Sequence, residues 1–273
     1  MYDRREVYSN PPLALVTAEV RYPYAPRLRQ ADTLDRIQLA LEDELPIRKT
    51  EERATLEFTL AGGMNKTKNM QVYRYLDRTS THSAVISPEA FTIETTRYTD
   101  FPDFLALLLK VATAIADEKA IPAIERVGIR YIDEIRVPEK IKDASQWGNW
   151  VAPALLPQLN PGVGLLKSSQ GVSFFETGES TYLQFQYAAV DGAPIVSNKP
   201  LRRLTRPESG KFFVLDFDSF WQSRTPEDSR SFTTEFLEDT LTRLHQPTGK
   251  MFQAAITDRL RDLFRGNNGR RDV

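Results

Sequence analysis

Residues 126–137 read Arg-Val-Gly-Ile-Arg-Tyr-Ile-Asp-Glu-Ile-Arg-Val, and the fold is built around this stretch. Apolar side chains recur at every second position, which predicts a half-buried β-strand. Asp133 interrupts the apolar face, while Arg130, Glu134 and Arg136 share the opposite face. Alternating charge on one strand face is typical of cross-strand ion pairs at a wet surface, each worth about 0–1 kcal/mol.

The residues before this strand switch between a period of two and a helical period. Residues 16–22 alternate cleanly, and a helix is predicted from Asp32 to a stop at Pro46. A second helix is predicted to begin near Asp100, with Pro102 in its first turn. Four further short strands are predicted at residues 53–60, 70–77, 82–87 and 91–98. Their succession indicates an antiparallel meander.

The residues after this strand repeat the theme. Strands are predicted at residues 172–176, 182–189 and 211–221, followed by a helical region over residues 232–264. Pro247 and Gly249 interrupt this region, and we expect them to kink the helix or split it into a helical hairpin.

These patterns predict an α+β fold of antiparallel sheets packed with long amphipathic helices. We expect two related sheet-plus-helix halves: an N-terminal half at residues 1–140 and a C-terminal half at residues 171–273 that ends in a long or kinked helix. Residues 141–170 are rich in proline and contain Trp147 and Trp150, and we expect a linker there with a short helix.

The composition excludes several classes of protein. With 41% apolar and 27% charged residues, the 273-residue chain is typical of a globular protein rather than a disordered one. A formal charge of −1 disfavours a dedicated nucleic-acid binder, and the absence of cysteine excludes disulfides and thiolate metal sites. The N-terminus has no apolar signal segment, and no apolar run is long enough to span a bilayer. We therefore expect a cytoplasmic protein without a membrane partner.

Recognised catalytic motifs are absent from the sequence, and no cofactor is predicted. The nearest approach to a phosphate-binding loop, over residues 162–168, lacks the glycine before Lys167. His82 and His245 are the two histidines, and each is interpreted as a surface or capping residue because neither has a visible partner.

Asp216 and Asp218 form the main candidate for catalysis. At positions i and i+2 of a strand, they share one face about 6.5–7 Å apart. Two such carboxylates, completed by Glu134 or Asp133, could hold a divalent cation in a phosphohydrolase or nuclease. The alternative is an exposed strand face whose intervening apolar residues pack inward.

The densest basic stretch is a candidate anion-binding or partner-binding loop. No aromatic residue stands between its basic residues, which weakens the case for binding single-stranded nucleic acid. A nucleic-acid interface built from this loop and the tail residues Arg265, Arg270 and Arg271 is a weaker hypothesis. The basic residues of the loop are Lys199, Arg202, Arg203 and Arg206, with Lys211 beyond it.

The pattern as a whole resembles a sporadically distributed prokaryotic family of uncharacterised proteins of about this length. The likeness is most specific at residues 125–135, where the family form has asparagine in place of Asp133. It extends over residues 8–21, residues 215–220 and the closing helix, with Leu241, Leu244, Phe252, Ile256 and Asp258. The patchy distribution implies an accessory role, such as a toxin–antitoxin or phage-defence setting.

Two functions remain open at this point. The first is a non-enzymatic factor that binds another protein, which would be genomically linked, and that forms a homo-oligomer, most simply a dimer. The absence of catalytic motifs and the 15 Phe, 10 Tyr and 3 Trp residues favour it, since aromatic residues anchor interfaces. The alternative is the metal-dependent phosphohydrolase or nuclease that would use Asp216 and Asp218.

Overall fold

Strand β6 (Arg126–Ile135) lies inside a nine-stranded sheet in which all described pairings are antiparallel. The computed structural model describes residues 6, 8–58, 64–157, 162–196 and 200–266. The order of the strands across the sheet is β2-β3-β4-β5-β1-β6-β9-β8-β7. This confirms the coarse prediction of an α+β fold with an antiparallel sheet.

The other strands are β1 (Leu13–Arg21), β2 (Ile47–Phe58), β3 (Met64–Leu76), β4 (His82–Ile86), β5 (Ala90–Thr95), β7 (Ser169–Gly178), β8 (Thr181–Gly192) and β9 (Gly210–Gln222). The α-helices are α1 (Ala31–Ala40), α2 (Phe101–Asp117), α3 (Thr234–Ala255) and α4 (Asp258–Phe264). Short 3-10 turns occupy Pro26–Arg29, Ala144–Asn149, Pro153–Leu155 and Pro226–Asp228.

Strand β6 joins the early and late parts of the chain in one sheet. It pairs with β1 on one side and, over ten consecutive residues from Arg126↔Gln222 to Ile135↔Phe213, with β9 on the other. The backbone hydrogen bonds of the sheet therefore run without a break from residues before position 140 to residues after position 170. Two separate, related sheet-plus-helix halves are not confirmed.

The helices cover one face of the sheet, which we call the inner face. On β6 this face carries Val127, Ile129 and Ile135, all of them fully buried. Helix α2 begins where the Asp100 carboxylate accepts a hydrogen bond from the Asp103 amide, with a proline in the first turn as predicted. Since alternate residues of a strand face opposite sides, the other side of β6 is free to carry charge.

Helix α3 is not split at Pro247. It runs through this proline to Ala255, and the chain breaks instead at Ile256, which is extended and forms an isolated bridge with Val151. Thr257 then caps α4 by accepting a hydrogen bond from the Leu260 amide. The position of the break is therefore set by the bridge between Ile256 and Val151 and by the N-cap at Thr257. Residue propensity does not reveal either feature.

The predicted linker packs closely against the rest of the chain. Trp147 and Trp150 are 1% and 4% exposed, and Trp147 packs against Phe213 at a ring-centroid distance of 5.5 Å. The Ala152 amide donates a hydrogen bond to the Ala255 carbonyl. This segment therefore contributes side chains to the core and holds the junction of α3 and α4.

None of the helices in the described part of the chain is long and apolar enough to cross a membrane.

A matched pair of leucines tests the assignment of the inner face. Leu108 of α2 is fully buried, whereas Leu39 of α1 is 65% exposed. We expect Leu108→Ala to lower the free energy of unfolding by about 2–5 kcal/mol, because it removes packed atoms and leaves a cavity. Leu39→Ala should change it by about 0.5 kcal/mol or less. Urea unfolding of both variants checks this, and equal losses would contradict the burial of α2.

Candidate functional site

The face of the sheet opposite the helices, which we call the outer face, carries the predicted carboxylates. On β9, Phe217 packs against Phe252 of α3, so the alternating residues Asp216 and Asp218 face away from the helices. The register places Asp216 opposite Ile132 and Asp218 opposite Arg130. Both aspartates and Arg130 therefore lie on the same side of two neighbouring strands.

Arg130 binds Asp216 through two parallel hydrogen bonds. Its Nε donates to Oδ1 at 2.8 Å and its Nη2 donates to Oδ2 at 2.5 Å. Asp216 is 8% exposed, whereas the side chain of Arg130 is 45% exposed. The hydrogen bonds that Arg130 donates to Asp216 raise the pKa of the Arg130 guanidinium above its ordinary value. The bidentate geometry is the strong form of an arginine–carboxylate pair.

Arg126 links three strands on the same face. Its Nη1 donates to Glu19 of β1 and its Nη2 to Asp218 of β9, both at 3.2 Å, while its guanidinium lies 4.5 Å from the ring centroid of Phe220. A Cβ atom on Gly128 would lie 2.8 Å from the Arg126 Nη1. Because Gly128 has no side chain, the Arg126 guanidinium can lie directly over this position of β6.

Asp218 is the less compensated of the two aspartates. Burial raises its pKa above the ordinary value, and Arg126 and Arg130 only partly offset this, while Asp216 and Glu19 raise it further. The charged form of Asp218 therefore depends on both arginines.

Glu134 is bound within the protein. Its side chain has no solvent exposure, and it accepts hydrogen bonds from Arg136 at 2.6 Å, from Arg203 at 2.7 Å and from the Ile195 amide at 2.7 Å. These bonds fix the loop between β8 and β9 to the end of β6. The charged face of β6 was predicted to form ion pairs at a wet surface. The ion pairs of Glu134 depart from this prediction, because the loop covers the Glu134 side chain.

The predicted basic loop does not act as one group. Arg203 is directed to Glu134, whereas Arg202 and Arg206 are exposed. The main chain of Arg202 bonds to Ser80 and Thr96. Lys199, Arg270 and Arg271 lie outside the described residues, and Arg265 pairs with Glu6 and Asp262.

A second buried ion-pair cluster was missed by sequence reasoning. Arg74 of β3 is 3% exposed and donates to Glu51 at 2.9 Å, to Ser83 at 2.7 Å and to Glu94. The signal in the sequence is an arginine between two inward tyrosines, but its partners come from three other strands. This cluster holds the opposite end of the sheet together.

Asp133 lies on the inner face and does not join Asp216 and Asp218. It pairs in register with Leu215, a core residue, and is 4% exposed. Burial, with a smaller contribution from the charge of Asp216, raises its pKa from 3.8 to about 8. Between these values the folded protein keeps the Asp133 carboxyl protonated.

Aromatic rings cross the outer face towards the edge strand β7. Phe174 stacks on Tyr182 at 5.4 Å between centroids, and Tyr182 lies 5.5 Å from Phe220. We call Phe174, Tyr182 and Phe220 the aromatic ladder. Phe174 is 59% exposed, so the end of the ladder on β7 is open to solvent. Sequence reasoning missed the ladder, because three strands must be placed side by side to form it.

The histidines are partnered within the fold. His245 lies inside α3, stacked on Phe101 at 4.3 Å, with its Nδ1 2.7 Å from the Tyr131 hydroxyl. His82 belongs to a turn in which the Asp77 carboxylate accepts hydrogen bonds from the His82 and Thr81 amides. The ring contacts place His245 within the fold, where the sequence indicated a surface or capping residue, whereas the His82 side chain is 31% exposed.

Within the described ranges, no group of three or more histidine or acidic side chains is arranged to hold a metal ion. Asp216, Asp218 and Glu134 share the outer face, but each is engaged by an arginine. The metal-dependent alternative stays a prediction. A comparison with protein-family models finds no match, and a comparison with curated proteins finds none either.

A double-mutant cycle on Arg130 and Asp216 measures the pair. We expect Arg130→Gln to cost about 1–3 kcal/mol of stability, because it leaves the buried Asp216 carboxylate without its guanidinium. The double variant Arg130→Gln/Asp216→Asn should lose less unfolding free energy than the two single variants lose together, by about 1 kcal/mol or more. Urea unfolding provides the values, and additivity within about 0.5 kcal/mol would contradict a direct pair.

Replacement of Asp133 tests its burial. Because the folded pKa is about 8 and the unfolded pKa is near 3.8, the folded state holds an extra proton between these values. Stability contributed by this proton is complete below about pH 4 and is lost as pH rises through 8. We expect Asp133→Asn to remove this loss, raising the free energy of unfolding at pH 8–9 by on the order of a few kcal/mol.

The comparison for this test is Asp43→Asn, at an exposed position. Urea unfolding between pH 4 and pH 9 should give nearly equal stabilities for Asp133→Asn and the parent at pH 4, and a widening gap above it. A gap that shrinks with rising pH would show that Asp133 is charged in the fold. A gap of the same size for Asp43→Asn would show that the effect does not arise from the burial of Asp133.

Proposed function

We propose that the chain is a non-enzymatic protein-binding factor that takes up an extended segment of another protein along the open edge of β7. The observation that carries this proposal is the contrast between the two edges of the sheet. In β2, six of twelve residues are charged, whereas β7 has one charged residue, Glu176, among ten. Charged side chains are the usual protection of a sheet edge against pairing, and β7 lacks them.

Strand β7 also presents exposed apolar side chains to both sides. Val172 and Phe174 are 67% and 59% exposed on the outer face, and Phe175 is 40% exposed on the other side. In the described sheet, β7 pairs with β8 along one edge only. A strand that binds there would form main-chain hydrogen bonds and also bury these side chains, which together supply affinity and register.

The chemistry of the surface defines the partner segment. It would be extended, with apolar or aromatic side chains at alternate positions to pack against Val172 and Phe174. A basic residue near one end would face Glu176. Beyond β7, the aromatic ladder and the Arg126 guanidinium extend the surface to β6, which provides the aromatic and arginine groups that dominate interface energies.

The wider setting belongs to the same proposal. The family resemblance supports an accessory factor in a toxin–antitoxin or phage-defence setting, in the cytoplasm, with the bound protein encoded nearby. We also propose a homodimer, whose interface would leave the β7 edge available to the partner segment.

Photocrosslinking tests the proposal. With p-benzoylphenylalanine in place of Phe174, we expect a discrete cross-linked protein from native cell lysate, which should be absent when the same group replaces Leu39, an exposed residue of α1. Mass spectrometry of the cross-linked peptide should identify the bound segment. When the purified partner is added, amide hydrogen exchange in residues 169–178 should slow, because new main-chain hydrogen bonds form there.

A pair of variants provides the control. Phe174→Lys should weaken binding of the purified partner roughly ten-fold or more, whereas Leu204→Lys, at a 68% exposed position in a loop, should change it less than about two-fold. A cross-link to a second copy alone, with a dimer mass in light scattering, would overturn the proposal in favour of self-association. Binding without protection of β7 would also overturn it.

A further inference from the structure

A cleft separate from the outer-face carboxylates lies beside the turn between β7 and β8. It has a volume of about 600 Å³, within the range of roughly 300–1,000 Å³ that is typical of small-molecule sites. Its walls are the β7–β8 turn, the loop after β9 and the middle of α3.

Four cationic side chains from two elements line this cleft. Arg224 and Arg230 come from the loop after β9, while Arg243 and Lys250 come from α3. The last two are seven residues apart, or about 10.5 Å along the helix, and so lie on the same helix face. Two carboxylates, of Glu179 and Asp228, also line the cleft, which leaves an excess of two positive charges (4 − 2) in a chain of net charge −1.

These cations form fewer ion pairs than the arginines on the strands of the sheet do. In the part of the chain that the structure describes, Arg230, Arg243 and Lys250 have no ion pair within 4.0 Å. Arg224 has a long contact of 3.7 Å with Glu176, and both side chains are more than half exposed. On the outer face, by contrast, Arg126 and Arg130 each bind a carboxylate. Unpaired cations that converge on a concave site favour an anionic ligand.

The rest of the lining supplies neutral donors and an apolar wall. Hydroxyl groups of Thr177, Ser180 and Thr181 surround the turn, and Trp221 packs edge-on against Phe236 at 5.2 Å. Ser180 has a φ of 53°, a left-handed conformation that is uncommon for a residue other than glycine. The Thr177 hydroxyl donates to the Thr181 hydroxyl at 3.3 Å, so the Ser180 hydroxyl and the guanidinium groups are the donors that match the acceptor oxygens of a phosphate group.

We propose that this cleft binds a small molecule that carries two or more phosphate groups. Guanidinium groups bind phosphate oxygens in pairs, and cations spread over two helical turns fit a chain of phosphates better than a single one. The cleft borders the end of β7, because Thr177 and Gly178 line it and Arg224 contacts Glu176. Arg243 and Lys250 lie on α3 instead, so their replacement leaves the β7 edge proposed for protein binding unchanged.

Calorimetric titration with inorganic pyrophosphate tests the site. We expect one saturable site, tighter for pyrophosphate than for inorganic phosphate, with affinity that falls as salt concentration rises. The variant Arg243→Gln/Lys250→Gln should weaken pyrophosphate binding roughly ten-fold or more, because it removes two charged donors. Both residues are exposed, and thermal unfolding followed by circular dichroism confirms that the variant is folded.

The matched control is Arg78→Gln/Lys140→Gln, which removes the same charge from exposed positions outside the cleft. It should change the dissociation constant less than about two-fold. Equal weakening in both variants, or no pyrophosphate binding by the parent protein, would overturn the proposal. Binding of a single-stranded oligonucleotide without binding of pyrophosphate would overturn it too, and would assign the cleft to a nucleic acid.

Discussion

The structure depends on strand β6, which has one face in the apolar core and the other face among charged side chains. The inner face of β6 is fully buried beneath the helices, while its outer face carries Arg126, Arg130 and Glu134. Because β6 pairs with β1 and β9, it fixes the register of strands that come from both ends of the chain. A shift of one residue would place these charges in the core, so the charge pattern itself specifies the pairing.

Ion pairing organises the outer face in turn. Buried carboxylates are costly unless a guanidinium compensates them, and Asp216, Asp218 and Glu134 each have an arginine partner. These partners come from neighbouring strands or from the loop before β9, so the pairs act across the sheet. The near-zero net charge of the chain therefore hides an uneven distribution, with paired charges on the sheet and unpaired cations at the cleft beside α3.

The sequence is sufficient to predict local periodicity and little beyond it. Alternation identified β6 and placed Asp216 and Asp218 on one face, and Pro102 helped to predict the start of α2 near Asp100. The partner of Asp216 is 86 residues away, so no local pattern reveals it. Of the kink or split predicted at Pro247, the split does not occur there, because α3 continues through the proline to Ala255 and packs against the sheet. The aromatic ladder follows only once the strand order is known.

In a stable fold, the local sequence pattern usually agrees with the packing and with the protection of sheet edges, so a segment that departs from this agreement is informative. A ten-residue edge strand with one charge and three exposed apolar side chains gains nothing for the isolated chain, since it leaves unpaired main-chain groups and apolar area in water. The charged strand β2 shows that the same sheet can protect an edge. The difference between the edges therefore supports the proposal that a strand of another protein pairs with β7.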